Sequence, residues 1–82
     1  MYTATITSFG KKYSASGQTV SDALSKIEVS GVARGKSVLS VARGTNSKDR
    51  VLSPVMTSRL FSKSPIIREV ALKNTSLLFD GV

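Results

Sequence analysis

Apolar and polar positions alternate from the second residue onward. In Tyr2-Thr3-Ala4-Thr5-Ile6-Thr7-Ser8-Phe9, the residues Tyr2, Ala4 and Ile6 share one face, and Thr3, Thr5, Thr7 and Phe9 share the other. A period of two in a segment rich in β-branched and aromatic residues predicts a strand. Gly10-Lys11-Lys12 reads as a turn and Tyr13–Ser16 as a returning strand, which gives a hairpin. Gly17-Gln18 ends it, and the period changes. Val20, Ala23, Leu24 and Ile27 fall at i, i+3, i+4 and i+7, one apolar stripe facing a sheet. Thr19 followed by Asp22 approximates a capping box, and Gly31 supplies a stop, so a helix is predicted over about residues 20–29.

Further on, Lys36 to Arg43 reads as a strand, with Leu39 and Val41 on one face and Val38 and Ala42 on the other. Residues 44–49 read as a polar loop and Arg50-Val51-Leu52-Ser53 as the start of the next strand, a second hairpin. Val32-Ala33-Arg34-Gly35 is echoed as Val41-Ala42-Arg43-Gly44, a repeat too short for a solenoid and better read as two similar strand–turn joins. Ser53-Pro54 and Ser64-Pro65 each combine an N-cap residue with a first-turn proline. They predict helices over about 54–62 and 65–73. A strand, turn and strand through Arg68–Leu72, Asn74-Thr75-Ser76 and Leu77-Leu78-Phe79 is the competing pattern. Either way, Leu77-Leu78-Phe79 needs burial, in this subunit or in another.

These elements predict a single small α+β domain over residues 1–82. An antiparallel sheet of four or five strands carries one helix packed across it, with a second short helix between residues 54 and 73. The order of hairpin, helix and further strands, with Thr19-Val20-Ser21-Asp22-Ala23-Leu24 opening the helix, resembles the β-grasp (ubiquitin-like) arrangement over the first third of the chain. A conjugating member of that family ends in Gly-Gly. This chain ends Asp80-Gly81-Val82, so no function is carried over.

Composition narrows the chemistry. With no Cys and no His, disulfides, thiol chemistry and the usual zinc ligand sets are excluded. A chain of 82 residues buries a thin core, and such domains gain stability from a disulfide, a metal or a partner subunit. Only the last remains, so a homo-oligomer is expected. Fourteen Ser and seven Thr against two Glu favour strands, turns and caps over long surface helices. No secretory pattern or membrane-spanning run is present, and the expected location is the cytoplasm, or a virion if the protein is viral.

Charge then selects a partner class. The net charge of +7 is uneven: residues 1–30 carry +1, residues 31–68 carry +7 and residues 69–82 carry −1. The middle segment holds eight basic residues against Asp49 alone. Such a field favours polyanions, because each phosphate that is neutralised releases condensed counterions. The candidate contacts are Arg34, Lys36, Arg43, Lys48 and Arg50, supported by Arg59 and Lys63. Tyr2, Phe9, Tyr13 and Phe61 are the candidate base-stacking groups, although general burial tendencies send Phe9 and Phe79 to the core.

Ser30-Gly31-Val32-Ala33-Arg34-Gly35-Lys36-Ser37 approaches a phosphate-binding P-loop, but Ser30 stands where the first Gly belongs. The segment also enters a strand where the motif requires a helix. Without His or Cys the common general base and the strongest nucleophile are missing, and the five acidic residues are scattered. No enzyme, cofactor, metal or small-molecule substrate is expected. The leading expectation is a non-enzymatic nucleic-acid-binding protein. The alternative is a viral or phage structural or interaction protein that self-assembles through its apolar C-terminal end or docks an acidic partner.

Overall fold

The computed structural model describes residues 1–27 and 35–82. Among them the chain forms four strands and three helices. In order these are β1 (Tyr2–Ser8), β2 (Lys11–Gly17), α1 (Val20–Ser25), β3 (Ser37–Arg43), β4 (Asn46–Leu52), α2 (Pro54–Leu60) and α3 (Pro65–Leu77). The α+β class and the antiparallel sheet are as expected from the sequence. The helices number three rather than two.

The sheet has the order β2-β1-β3-β4, every neighbouring pair antiparallel. Cross-strand partners share a face, so Ala4 and Ile6 of β1 stand beside Val41 and Leu39 of β3, and all four are fully buried. The opposite face is rich in hydroxyls. Thr3 pairs with Ser16 at 3.1 Å and Thr5 with Ser14 at 3.0 Å, cross-strand hydrogen bonds on an exposed surface. Here the abundance of Ser and Thr finds its place, on the solvated side of a sheet that is covered on one side only.

Both hairpins close more tightly than the sequence pattern indicates. Ser8 pairs with Lys11, which leaves Phe9 and Gly10 as a two-residue turn with φ of 50° and 78°. Two positive values define a type I′ turn, whose twist matches the flanking strands. Arg43 pairs with Asn46 around Gly44, which has φ of 60°. The predicted loop over 44–49 is therefore a two-residue turn, and β4 begins at Asn46 rather than at Arg50.

Helix α1 starts where the capping pattern places it. The Asp22 backbone N–H donates to Thr19 Oγ1 at 3.0 Å, and Asp22 Oδ2 accepts from the Gln18 backbone N–H at 3.2 Å. The helix ends at Ser25, short of residue 29, while Ile27 is still buried. Gly31, the expected stop, and Arg34 lie outside the described residues.

α1 packs over β1 and β2, α2 follows β4 directly, and α3 lies against both α1 and α2. Ser53 caps α2 by accepting from the Met56 N–H at 3.2 Å, with Pro54 in the first turn. α3 extends to Leu77, beyond the expected residue 73, so the strand-turn-strand alternative fails. Thr75 is buried one turn beyond Ala71 on the helix face directed at the core, and this packing carries the helix through Asn74-Thr75-Ser76. The apolar C-terminal residues divide: Phe79 is buried in the subunit, Leu78 is half-buried and Leu77 is exposed. Burial of a phenylalanine of this kind contributes about 1.5–3 kcal/mol. Among the described residues no helix is long and apolar enough to cross a membrane.

Candidate nucleic-acid interface

The β3–β4 hairpin positions three of the basic residues together. Its register sets Arg43 opposite Asn46, Val41 opposite Lys48 and Leu39 opposite Arg50. Arg43, Lys48 and Arg50 therefore share the face of the sheet that carries the core. On β3 that face is covered by helices and bears Leu39 and Val41. On the edge strand β4 the cover runs out, so Arg50 is exposed and Lys48 half-buried. Asp49 projects from the opposite face, where its Oδ1 accepts from Ser40 Oγ at 2.5 Å. The one carboxylate of the segment is thus turned away from its cations.

Arg43 has a second engagement. Its Nη1 donates to Tyr2 Oη at 3.2 Å, and its guanidinium carbon lies 5.3 Å from the centroid of the Tyr2 ring, a cation–π distance. Tyr2 Oη in turn donates to the Val82 carbonyl at 3.3 Å. Arg43 thus joins the β3 end to both chain ends, while four of its five N–H groups remain outside this bond. Beside it, Lys48 lines a shallow depression with Thr45, Asn46, Asp80 and Gly81. Among the described residues, the ion pair within 4 Å is Lys26 with Asp22 at 3.3 Å, on α1.

A second group of cations sits at the other end of the sheet. The β1–β2 turn carries Phe9, 75% exposed, followed by Lys11 and Lys12, both exposed. A side chain on Gly35 would meet the Phe9 ring, with a Cβ only 3.0 Å from Cε2, so this glycine allows the two segments to approach. Lys36 follows Gly35 and is exposed. Lys11, Lys12 and Lys36 therefore lie at the same end of the sheet as an exposed aromatic ring, with Lys11 and Lys12 on opposite faces of β2. Phe9 is at the surface and not in the core as expected, because a two-residue hairpin projects its central residues away from the sheet.

The remaining candidates lie on the helical side. Arg59 lines the groove between α2 and α3, and Lys63, in the turn between these helices, borders a depression with Ser25, Pro65 and Arg68. Arg68 Nη2 donates to the Ser25 carbonyl at 2.9 Å, tying α3 to the C-terminal end of α1. Arg34 cannot be placed, as it lies outside the described residues. The seven predicted contacts are thus not one surface: Arg43, Lys48 and Arg50 share a face, Lys36 joins Lys11 and Lys12 at the far end, and Arg59 and Lys63 are on the helices. Lys11 and Lys12 escaped the sequence reading because they lie outside the basic segment. Only the pairing of β1 with both β2 and β3 brings them to Lys36.

The P-loop likeness ends in the geometry of Ser37. This residue opens a strand, is buried, and its hydroxyl lies 2.8 Å from Thr57 Oγ1. A P-loop serine instead opens a helix and faces a metal ion. Of the candidate stacking groups, Phe61 is buried with Phe79 and Tyr2 and Tyr13 are half-buried, which leaves Phe9 as the presented ring. Comparison with family models, with curated proteins and with solved structures returned no match.

Proposed function

We propose that this protein binds nucleic acid without catalysis, chiefly through phosphate contacts. One observation carries the reading: Arg43, Lys48 and Arg50 stand on one face of an edge hairpin whose only carboxylate faces the other way. Cations on alternate residues of β4 stand about 6.6 Å apart, close to the spacing of successive phosphates in a nucleic-acid strand. Lys11, Lys12 and Lys36 extend the positive surface to the Phe9 end of the sheet. There the exposed ring offers a face on which an unpaired base can stack, a sequence-tolerant contact. The reading therefore favours single strands over duplexes.

Fluorescence anisotropy with labelled single-stranded DNA, duplex DNA and RNA across a salt series tests it. The expected result is affinity that falls linearly in log–log salt and is highest for a single strand. Absence of binding at low salt, or binding insensitive to salt, rejects the reading.

A further inference from the structure

α3 has two apolar faces, and only one is used inside the subunit. Ala71, Thr75 and, just beyond the helix, Phe79 point inward. On the far side Ile66, Val70 and Leu77 fall at i, i+4 and i+11, a single stripe at 100° per residue, and are 75%, 54% and 64% exposed. Ile67 widens the stripe toward the α2–α3 groove, which holds about 520 Å³. Large apolar side chains exposed along one helix face of a small domain mark an interaction site.

The charges beside the stripe identify its occupant. Glu69 and Lys73 lie along the same flank, both exposed, and among the described residues neither is in an ion pair. In a two-fold antiparallel helix pair the same flank of each helix meets, and residue i of one opposes residue j of the other in both directions. The midpoint of Glu69 and Lys73 falls at Ala71. The midpoint of Ile66 and Leu77, the ends of the stripe, falls between Ala71 and Leu72. A two-fold axis at Ala71 therefore sets Glu69 against the partner's Lys73, twice, and brings Ile66 to within one residue of the partner's Leu77, with Val70 near the centre. The charged pair sets the register, and the ends of the apolar stripe agree with it to within one residue.

We infer that α3 is a self-complementary dimer interface, a second copy of this chain covering the Ile66–Val70–Leu77 stripe through antiparallel α3 packing. The inference is independent of the nucleic-acid reading, since it uses none of the hairpin cations. It also replaces the expected assembly through Leu77-Leu78-Phe79, of which only Leu77 is free to contribute.

Sedimentation velocity over a concentration series, with circular dichroism to establish folding, tests it. The wild-type chain is expected to dimerise reversibly, and Val70→Asp to remain folded and monomeric. Charge reversal provides a test that does not depend on Val70→Asp folding. Glu69→Lys and Lys73→Glu each place like charges opposite one another at two symmetric sites and should weaken the dimer roughly tenfold. The double reversal Glu69→Lys/Lys73→Glu restores opposite charges across the axis and should recover the wild-type dissociation constant. A wild-type chain that stays monomeric at all concentrations overturns the inference and assigns the face to a different partner. A dimer that survives Val70→Asp, or that ignores the single reversals, overturns it equally.

Discussion

The hydroxyls of Ser37 and Thr57 lie 2.8 Å apart in the buried interior, joining the first residue of β3 to the middle of α2. Thr57 Oγ1 also lies 3.0 Å from the Ser53 carbonyl, which can only accept. Thr57 therefore donates to Ser53, and Ser37 donates to Thr57. The chain of bonds has a direction, and it fixes the helical side of the molecule to the basic hairpin.

That direction makes the two residues unequal. Thr57→Val removes the acceptor of Ser37 and leaves a buried hydroxyl unsatisfied, a loss of about 1–3 kcal/mol. Ser37→Ala leaves the Thr57–Ser53 bond intact and should cost less, about 1 kcal/mol. The double variant should fall short of the sum, because the coupling is lost only once. Urea unfolding of the two single variants and the double variant measures this; additive losses would reject the coupling, and equal single losses would reject the assigned direction.

Gly17 guards the start of α1. A Cβ at this position would lie 2.5 Å from Asp22 Oδ2 and 2.7 Å from the Ala23 backbone nitrogen. The carboxylate could swing away, but only by giving up its bond to the Gln18 N–H, and the backbone nitrogen is held by the Thr19 carbonyl at 3.0 Å. Gly17→Ala should therefore destabilise the domain by about 1–3 kcal/mol despite improving local strand propensity. A melting temperature unchanged from wild type would show that α1 is not anchored here.

These contacts also explain what the sequence made legible. β1 and α1 could be read because each buries one regular stripe, at period two and period 3.6. β4 could not be read from its start, since Asn46-Ser47-Lys48-Asp49 contains no apolar residue. It is an edge strand held by backbone pairing, and its side chains are mostly solvated. The full length of α3 was hidden for a related reason: Asn74, Thr75 and Ser76 are poor helix formers, and burial of Thr75 outweighs their propensity. The candidate site was partly legible. A linear concentration of charge located the β3–β4 hairpin, but it could not reveal that Asp49 points away or that Lys11 and Lys12 return beside Lys36.

Charge at the hairpin predicts a countable effect on binding. Lys48→Ala and Arg50→Ala should each lower the slope of log affinity against log salt by about one, with affinity falling for all sequences alike. Lys26→Ala is the matched control, because its ammonium lies 3.3 Å from Asp22 on α1, away from the hairpin. It removes the same formal charge and should leave the slope unchanged. If all three variants shift binding equally, net charge alone governs the interaction and the hairpin face has no special role.

Phe9 carries opposite predictions for stability and for binding. It occupies the first central position of a type I′ turn at φ of 50°, a conformation that favours Asn, Asp or Gly and penalises a bulky side chain by about 1–2 kcal/mol. Its ring is 75% exposed, so burial offsets little of that strain. Phe9→Asn should therefore stabilise the domain by about 1 kcal/mol, raising the melting temperature by about 4–8 °C for a chain of this size. If the ring stacks on a base, the same substitution should weaken single-strand binding roughly tenfold while leaving the salt slope intact, because no cation is removed. An abasic single strand should bind the wild-type and Phe9→Asn proteins equally. Calorimetry and anisotropy on the one variant separate the effects. A stabilised variant with undiminished affinity would confine Phe9 to a strained turn and remove it from the proposed interface, whereas a gain in stability coupled to loss of binding would tie the strain to use.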